Sequence, residues 1–366
     1  MNSHLFTFTN HKTERNSNFF SLFDEKDKTY VNLMGKNKLN SKTASILLYP
    51  LFFVLLLPFS IFKLIKNRNV ENYLVLFPGI LELLILRTFK PIFKFKIVYD
   101  MFTSFHLTLI EDRKIIKSGT LLERVVIFLD KLFFTIPDKL IFETSEMEEY
   151  VQNFLGLEKE NKLVLTSYRE LPLGLDIDNS IDKEDSVYTI TFWGSFERMH
   201  GLDTILDSAI ELGNEYKFYL IGDGSYFKHI KARIEEENIK NVFLTGYLSK
   251  NVGDNDNLYS YIMKSDICLG AFSNTKKNNL VIPGKIVEAF LFEKPVITAK
   301  TDYIKNNCSD SLLPVQPDSS NELANAIKKL SIDSKLREDI VIKSKNYFKS
   351  NHSKAYFQNA LLEFLA

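Results

Sequence analysis

Lys285 and Glu288 stand three residues apart in Pro283-Gly284-Lys285-Ile286-Val287-Glu288-Ala289-Phe290. That spacing puts both side chains on one face of a single helical turn. Pro283-Gly284 suits a helix start, because proline in the first turn forfeits only an N–H that has no intrahelical partner. The free N–H groups of such a start attract anions, phosphate among them. A lysine adds a positive charge there, and a glutamate in the same place can accept hydrogen bonds from sugar hydroxyls. Lys294-Pro295-Val296-Ile297-Thr298 then reads as a turn into a buried strand. A diphosphate cradle beside a hydroxyl-binding carboxylate points to a nucleotide-sugar site.

A second cluster lies upstream. Phe192-Trp193-Gly194-Ser195-Phe196-Glu197-Arg198-Met199-His200-Gly201 reads as a strand end, a glycine loop and a helix start. The loop can present N–H groups to phosphate, with Arg198 or His200 supplying positive charge. The plainer reading is an ordinary loop in which His200 caps or packs. Gly222-Asp223-Gly224 lacks a third glycine at the dinucleotide spacing, so it reads as a tight strand-to-helix turn. Asp100, Ser104 and His106 fall at the end of an expected strand, Lys96–Phe102, where open α/β sheets place their chemistry. Asp100 and His106 can orient a sugar hydroxyl or act as general base, and they can equally cap the next helix. Asp176-x-Asp178 and Asp254-x-Asp256 sit in polar, turn-like segments without His or Cys nearby, so no metal site is expected.

The elements that must position these residues alternate strand and helix, which predicts parallel sheets. In the first half, strands are expected at Leu5–Thr9, Tyr30–Met34, Tyr73–Phe77, Lys96–Phe102 and Leu140–Glu143. Helices are expected at Arg15–Asp24, Ala44–Lys66, Leu81–Phe89, Leu121–Phe134 and Ser145–Phe154. In the second half the strands are Val187–Trp193, Lys217–Ile221, Val242–Thr245 and Ile267–Phe272, each followed by a turn and a helix. Two or three helices close the chain after Asn321. The Pro, Gly and Asp of Leu171–Asp176, then a charged run, mark a boundary. The expected organisation is therefore an N-terminal Rossmann-like domain over 1–170, a linker over 171–186 and a C-terminal Rossmann-like domain over 187–350. The last helix, 351–366, is expected to pack back on the first domain.

With 366 residues, 45% of them hydrophobic and 25% charged, the chain is globular and long enough for two domains. Zero net charge argues against a general nucleic-acid binder. Two cysteines cannot make a disulfide framework, and Cys268 lies in an apolar run, which fits a reducing cytosol. Met1–Asn18 is polar and has no secretory pattern. The charge is unevenly spread: Lys36–Lys96 holds ten Lys and Arg against Glu71 and Glu82. The same region contains the apolar run Ile46–Phe62. Three readings stand for that run: a membrane-spanning helix, a buried core helix, and an interfacial helix flanked by lysines. The expectation is a cytoplasmic protein held peripherally on an anionic membrane face through 36–96.

Taken with these motifs, the second half resembles the group 1 family of GT-B glycosyltransferases, which transfer sugar from nucleotide-sugar donors with retention of configuration. The likeness is carried by Gly194 to Gly201, "LIGDG", "VFLTGYL", "SDICLGAF" and "PGKIVEAFLFEKPVIT", densest over Val187–Leu330. It implies an α/β protein of GT-B architecture, two Rossmann-like domains facing a cleft, with donor mainly on the second and acceptor on the first. It implies that Glu288 binds the donor ribose, and that Pro283, Gly284 and Lys285 meet diphosphate and sugar together with Gly194, Ser195, Arg198 and His200. Base recognition is implied near Tyr247. Asp100 and His106 are the implied catalytic positions, and Arg15 a candidate phosphate contact. The family's first glutamate is replaced by Leu280, its common arginine by Ser195 and its common lysine by His200. Asn278 or Asn279 are candidates to contact the donor sugar instead. The implied activity is transfer from a nucleoside-diphosphate sugar to a glycan or lipid-linked acceptor, as in cell-surface polysaccharide or glycolipid synthesis, with no metal and no further cofactor. A nucleotide-sugar epimerase and a catalytically degenerate sugar-binding scaffold are the alternatives.

Overall fold

The computed structural model describes residues 2–8, 13–30, 55–175, 187–254 and 256–366. The expected linker from 176 onward and the first part of the apolar run, 46–54, lie outside the described residues. The chain forms two compact units: Met1–Ser167 with Phe357–Ala366, and Tyr168–Tyr356.

The first unit is a six-stranded parallel sheet of β1 (Ser3–Thr7), β2 (Lys28–Tyr30), β3 (Asn72–Val75), β4 (Lys96–Asp100), β5 (Lys139–Phe142) and β6 (Lys162–Val164). Their order is β2-β1-β3-β4-β5-β6. The chain leaves β1 in one direction and then returns to cross the sheet in the other, so the switch in direction falls between β1 and β3. Tyr73–Val75 of β3, Ile97–Tyr99 of β4 and Leu140–Phe142 of β5 are apolar and buried, as expected for strands covered on both faces. The closing helix, Lys354–Leu365, belongs largely to this unit. Its Phe357 ring lies 5.1 Å from that of Phe19, and the Leu365 carbonyl accepts from Asn72 Nδ2 at 2.9 Å.

The second unit repeats the plan with β7 (Tyr188–Trp193), β8 (Tyr216–Ile221), β9 (Val242–Gly246), β10 (Ile267–Leu269), β11 (Val296–Ala299) and β12 (Leu313–Val315), in the order β12-β11-β10-β7-β8-β9. Its switch point lies between β7 and β10. The period-two alternation of β7 sends Ile190 and Phe192 into one core cluster and Trp193 into the other. Cys268 is buried in the second cluster, where burial pushes its thiol up to about 12 and keeps it protonated.

Several expected boundaries move. The Ile267–Phe272 strand stops at Leu269, because Gly270 packs against the Thr298 side chain, where a β-carbon would stand 2.3 Å from Oγ1. The helix expected to end at Phe89 runs on to Phe93, with Pro91 inside it. Short strands β6 and β12 have too few residues to show a period.

One charge is buried at the first unit's switch point. Glu82 opens the helix Ile80–Phe93 and accepts the Phe8 N–H at 2.5 Å. Burial pushes its carboxyl up to about 7. A carboxyl raised in the folded state stabilises the protein below its unfolded value and ceases to do so as pH rises through 7. Glu82→Gln keeps an acceptor for Phe8 and removes the charge. Relative to its effect near pH 4, it should raise stability at pH 8 by about 2–3 kcal/mol, read as urea midpoints.

Candidate nucleotide-sugar site

The site is assembled at the switch point of the second unit, from the loop after β7 and the helix Gly284–Leu291 that follows β10. Two glycine turns make its floor. The Gly194 N–H continues the strand pairing to the Ile221 carbonyl at 2.9 Å, Phe196 donates to the Asp223 carbonyl at 3.0 Å, and Tyr226 donates to the Phe196 carbonyl at 2.8 Å. A β-carbon on Gly222 would lie 1.9 Å from the Gly194 carbonyl oxygen, and one on Gly224 would lie 2.6 Å from that of Phe196. The Gly222-Asp223-Gly224 turn is thus a platform on which the 194–196 backbone rests directly. Only glycine permits that approach, and Gly222, at φ +142°, has a backbone conformation that other residues rarely adopt.

His200 clamps the same loop. Its Nδ1 lies 2.5 Å from the Ser195 carbonyl, an acceptor, so Nδ1 carries the proton. Burial, with the neighbouring Lys285 charge, lowers its pKa to about 3. The ring is therefore neutral, and the positive charge expected from His200 is not there. Arg198 is exposed, its guanidinium 5.4 Å over the Tyr226 ring.

Lys285 supplies the charge instead. It is only 8% exposed, and its Nζ has no hydrogen-bond partner. It sits 3.7 Å from the Phe192 ring centroid, and a β-carbon on Gly194 would come within 3.3 Å of its Cε. Burial, opposed by the charge of Glu288, holds the ammonium well below the usual lysine range. Nearby in the same helix, the buried Glu288 accepts from Trp193 Nε1 at 2.7 Å through Oε2 and pairs through Oε1 with Lys250. Lys250 was not expected from sequence. It lies 38 positions before Glu288, in a turn with no motif, and only the fold brings it there.

Other expected residues fall as follows. Pro283 caps the helix, its carbonyl accepting from Ile286 at 2.9 Å. Ser195 and Tyr247 are exposed. Asn278 donates to the Met199 and Ser273 carbonyls at 2.7 and 2.9 Å, which ties the short helix Lys276–Leu280 to the 194–201 loop. Its Oδ1 is buried without a hydrogen-bond partner. Leu280, in the place of the family's first glutamate, is buried.

In the first unit, Arg15 and Asp100 meet as a buried ion pair. Arg15 Nε lies 3.0 and 2.9 Å from the two carboxylate oxygens and Nη2 lies 2.6 Å from Oδ1. Nη1 donates to the Leu165 carbonyl at 2.8 Å. Both charges are answered inside the unit, so the expected phosphate contact of Arg15 has no guanidinium face turned to solvent. His106 is buried too. Its Nε2 lies 3.1 Å from Glu123 Oε1, its ring 4.3 Å from that of Phe154, and its backbone N–H donates to Asp130 Oδ2 at 2.9 Å.

A buried ammonium without an acceptor favours anion binding. Lys285→Met should raise stability by about 1–3 kcal/mol, since an apolar isostere removes a desolvated charge. It should also weaken binding of a nucleoside diphosphate at least about thirtyfold, because a buried charge partner is lost. Thermal melts and calorimetric titration read both. A bound diphosphate would raise the lysine pKa, so binding should take up protons and weaken as pH rises. Titrations in two buffers of different ionisation enthalpy test the sign.

The fold has known counterparts. Anabaena HepE, solved with UDP and glucose, aligns over 100% of this chain and 99% of its own at 14% identity, TM-score 0.69. Sucrose-phosphate synthase from Thermosynechococcus elongatus covers 99% and 98% at 13% identity, TM-score 0.72. A glycosyltransferase from Rickettsia africae covers 99% and 97% at 13% identity, TM-score 0.67. The two parallel six-stranded sheets with flanking helices are those of GT-B glycosyltransferase structures. No curated protein sequence matches the chain. Residues 187–333, which carry Gly194, Lys250, Lys285 and Glu288, match the sequence model of the family described as glycosyl transferases group 1.

Proposed function

We propose that this protein is a glycosyltransferase that moves a sugar from a nucleoside-diphosphate donor to a glycan or lipid-linked acceptor. The observation that carries the reading is Lys285: a buried lysine whose Nζ has no hydrogen-bond partner, held against Gly194 at a sheet switch point, with a carboxylate one turn along. Phosphate oxygens of the donor would complete its coordination, together with the Ser195 N–H and the helix start at Gly284. The ribose diol would bind Glu288. Lys250 is the partner it would displace, since that side chain is 39% exposed while Trp193 is buried.

In the transfer, the bond between the anomeric carbon and the diphosphate oxygen breaks, and its electron pair leaves with the diphosphate. Lys285 and the loop amides stabilise that growing charge. The acceptor hydroxyl oxygen bonds to the anomeric carbon on the vacated face, and its proton passes to the departing phosphate oxygen. Configuration is then retained without a protein nucleophile. The charge is met by protein groups in this scheme, so no metal is required. Asp100 and His106 are assigned the acceptor side, where their buried contacts shape the β4 carboxyl end rather than donate or accept the transferred proton. Leu280 in place of a carboxylate and Ser195 in place of the common arginine are the features that favour a sugar-binding scaffold. An epimerase finds no comparable support.

The chain contains one tryptophan, and it touches Glu288, so its fluorescence reports the site. UDP should change Trp193 emission, and Glu288→Ala should weaken that titration about tenfold or more through loss of charged hydrogen bonds. Turnover of nucleotide-sugar donors should need an acceptor and survive EDTA. Binding without turnover across donors and acceptors would leave the scaffold, and sugar conversion without acceptor would mean an epimerase.

We also propose peripheral attachment to the cytoplasmic membrane face through 36–96. Among the described residues no helix is long and apolar enough to cross a membrane. The helix over 55–66 buries Leu56, Ser60 and Leu64 while exposing Leu55, Phe62 and Ile65, which supports a core face and a lipid face on one element.

A further inference from the structure

The helix Leu121–Thr135 has a face that the fold leaves uncovered. Val126, Asp130, Phe133 and Phe134 are buried. On the other side Leu121 is 75% exposed, Leu122 61%, Val125 46% and Phe128 63%. Single exposed aliphatics are ordinary on a protein surface. These stand at i, i+1, i+4 and i+7, so they form one stripe along the helix. Exposed Ile115 lies in the segment just before it.

The stripe is held in place. The Glu123 N–H donates to Thr120 Oγ1 at 3.4 Å, while its carboxylate accepts from the Gly119 N–H at 2.6 Å and from Ser118 Oγ at 3.0 Å. This reciprocal cap defines the helix start and so the direction of Leu121 and Leu122. Around the stripe, Arg113, Lys114, Lys117, Arg124 and Lys131 are all exposed. Of the four acidic residues in 111–131, Glu123 and Asp130 direct their carboxylates to groups of the unit itself, and Glu111 and Asp112 stand before the cationic run, at its end far from the stripe in sequence.

We propose that this face seats the N-terminal unit on an anionic lipid bilayer, the apolar stripe entering the acyl boundary and the five cations meeting lipid phosphates. An occupant must be apolar inside and negative at its surface, as such a bilayer is. A second copy of the chain fits poorly, because a two-fold contact sets the cations of the patch against themselves. The surface is separate from 36–96 and stands whether or not the chain transfers sugar. The helix over 55–66 and Leu121–Thr135 lie in connections that run the same way across the sheet, so right-handed crossovers bring both to one side of it.

The test is flotation of the intact chain with phosphatidylcholine vesicles and with phosphatidylcholine–phosphatidylglycerol vesicles. Binding should be confined to the anionic vesicles. Leu121→Ser with Phe128→Ser should lower it at least about tenfold, and Arg124→Glu with Lys131→Glu by about 25-fold or more, at roughly fivefold per charge removed. Unfolding midpoints should stay unchanged, since these side chains are exposed. Phe128→Trp should shift its emission to the blue on anionic vesicles alone. The proposal is overturned by equal binding to neutral vesicles, by no binding, or by binding that both double variants leave intact. It also fails if only Phe62→Ser with Ile65→Ser abolishes flotation, or if size exclusion shows a dimer that Leu121→Ser with Phe128→Ser splits.

Discussion

Burying a lysine amino group without a hydrogen-bond acceptor is costly, and the second unit is organised so that Lys285 stays in that state. The cost would vanish if the 194–196 loop could fold down and offer a carbonyl. It cannot, because that loop is already fixed from below. Gly222 and Gly224 bring the β8 turn into backbone contact with it, and His200 draws the Ser195 carbonyl towards its own Nδ1. Beside the lysine stands Gly194, which has no side chain to give. Among the described residues the amino group faces the ring of Phe192 and the charge of Glu288, itself engaged by Trp193 and Lys250. A region preorganised in this way favours an incoming anion over any rearrangement of the protein.

The first unit treats its charges differently. Arg15 and Asp100 satisfy each other beneath β4, and Asp130 collects the N–H groups of Phe105 and His106. Removing one member of such a buried pair typically costs about 3–5 kcal/mol, because the other is left alone. These contacts set the path of the chain after β4, and they hold His106 beside Glu123 at the start of the exposed helix. The contrast between the units follows from exposure of partners. Where carboxylate and guanidinium lie within reach they pair, and where a lysine is flanked by glycine and phenylalanine it stays open.

Much of the fold was legible because its strands are short apolar runs punctuated by glycine and its helices carry clear periods. Strands β7, β8 and β9 end within a residue or two of their expected limits. The carboxyl-end location of the site followed from the strand–glycine–helix repeat alone. Strands β6 and β12, three residues each, carried too little pattern to be read. The extension of the helix past Phe89 shows tertiary packing overriding the punctuation that a proline suggests.

The sequence by itself determined that a lysine and a glutamate share one helical turn after a Pro-Gly start, and that glycine turns close the neighbouring strands. Those are properties of spacing within a few residues. The tertiary structure decided which cation is available. His200 looked like a charge donor but is neutral, since burial and a backbone carbonyl take its place and its proton. Arg15 looked available but is paired with Asp100, 85 positions away. Lys250 carried no local signal and reaches Glu288 across 38 positions. Protonation and pairing depend on desolvation and on neighbours from other strands, and neither is written in the local spacing of residues.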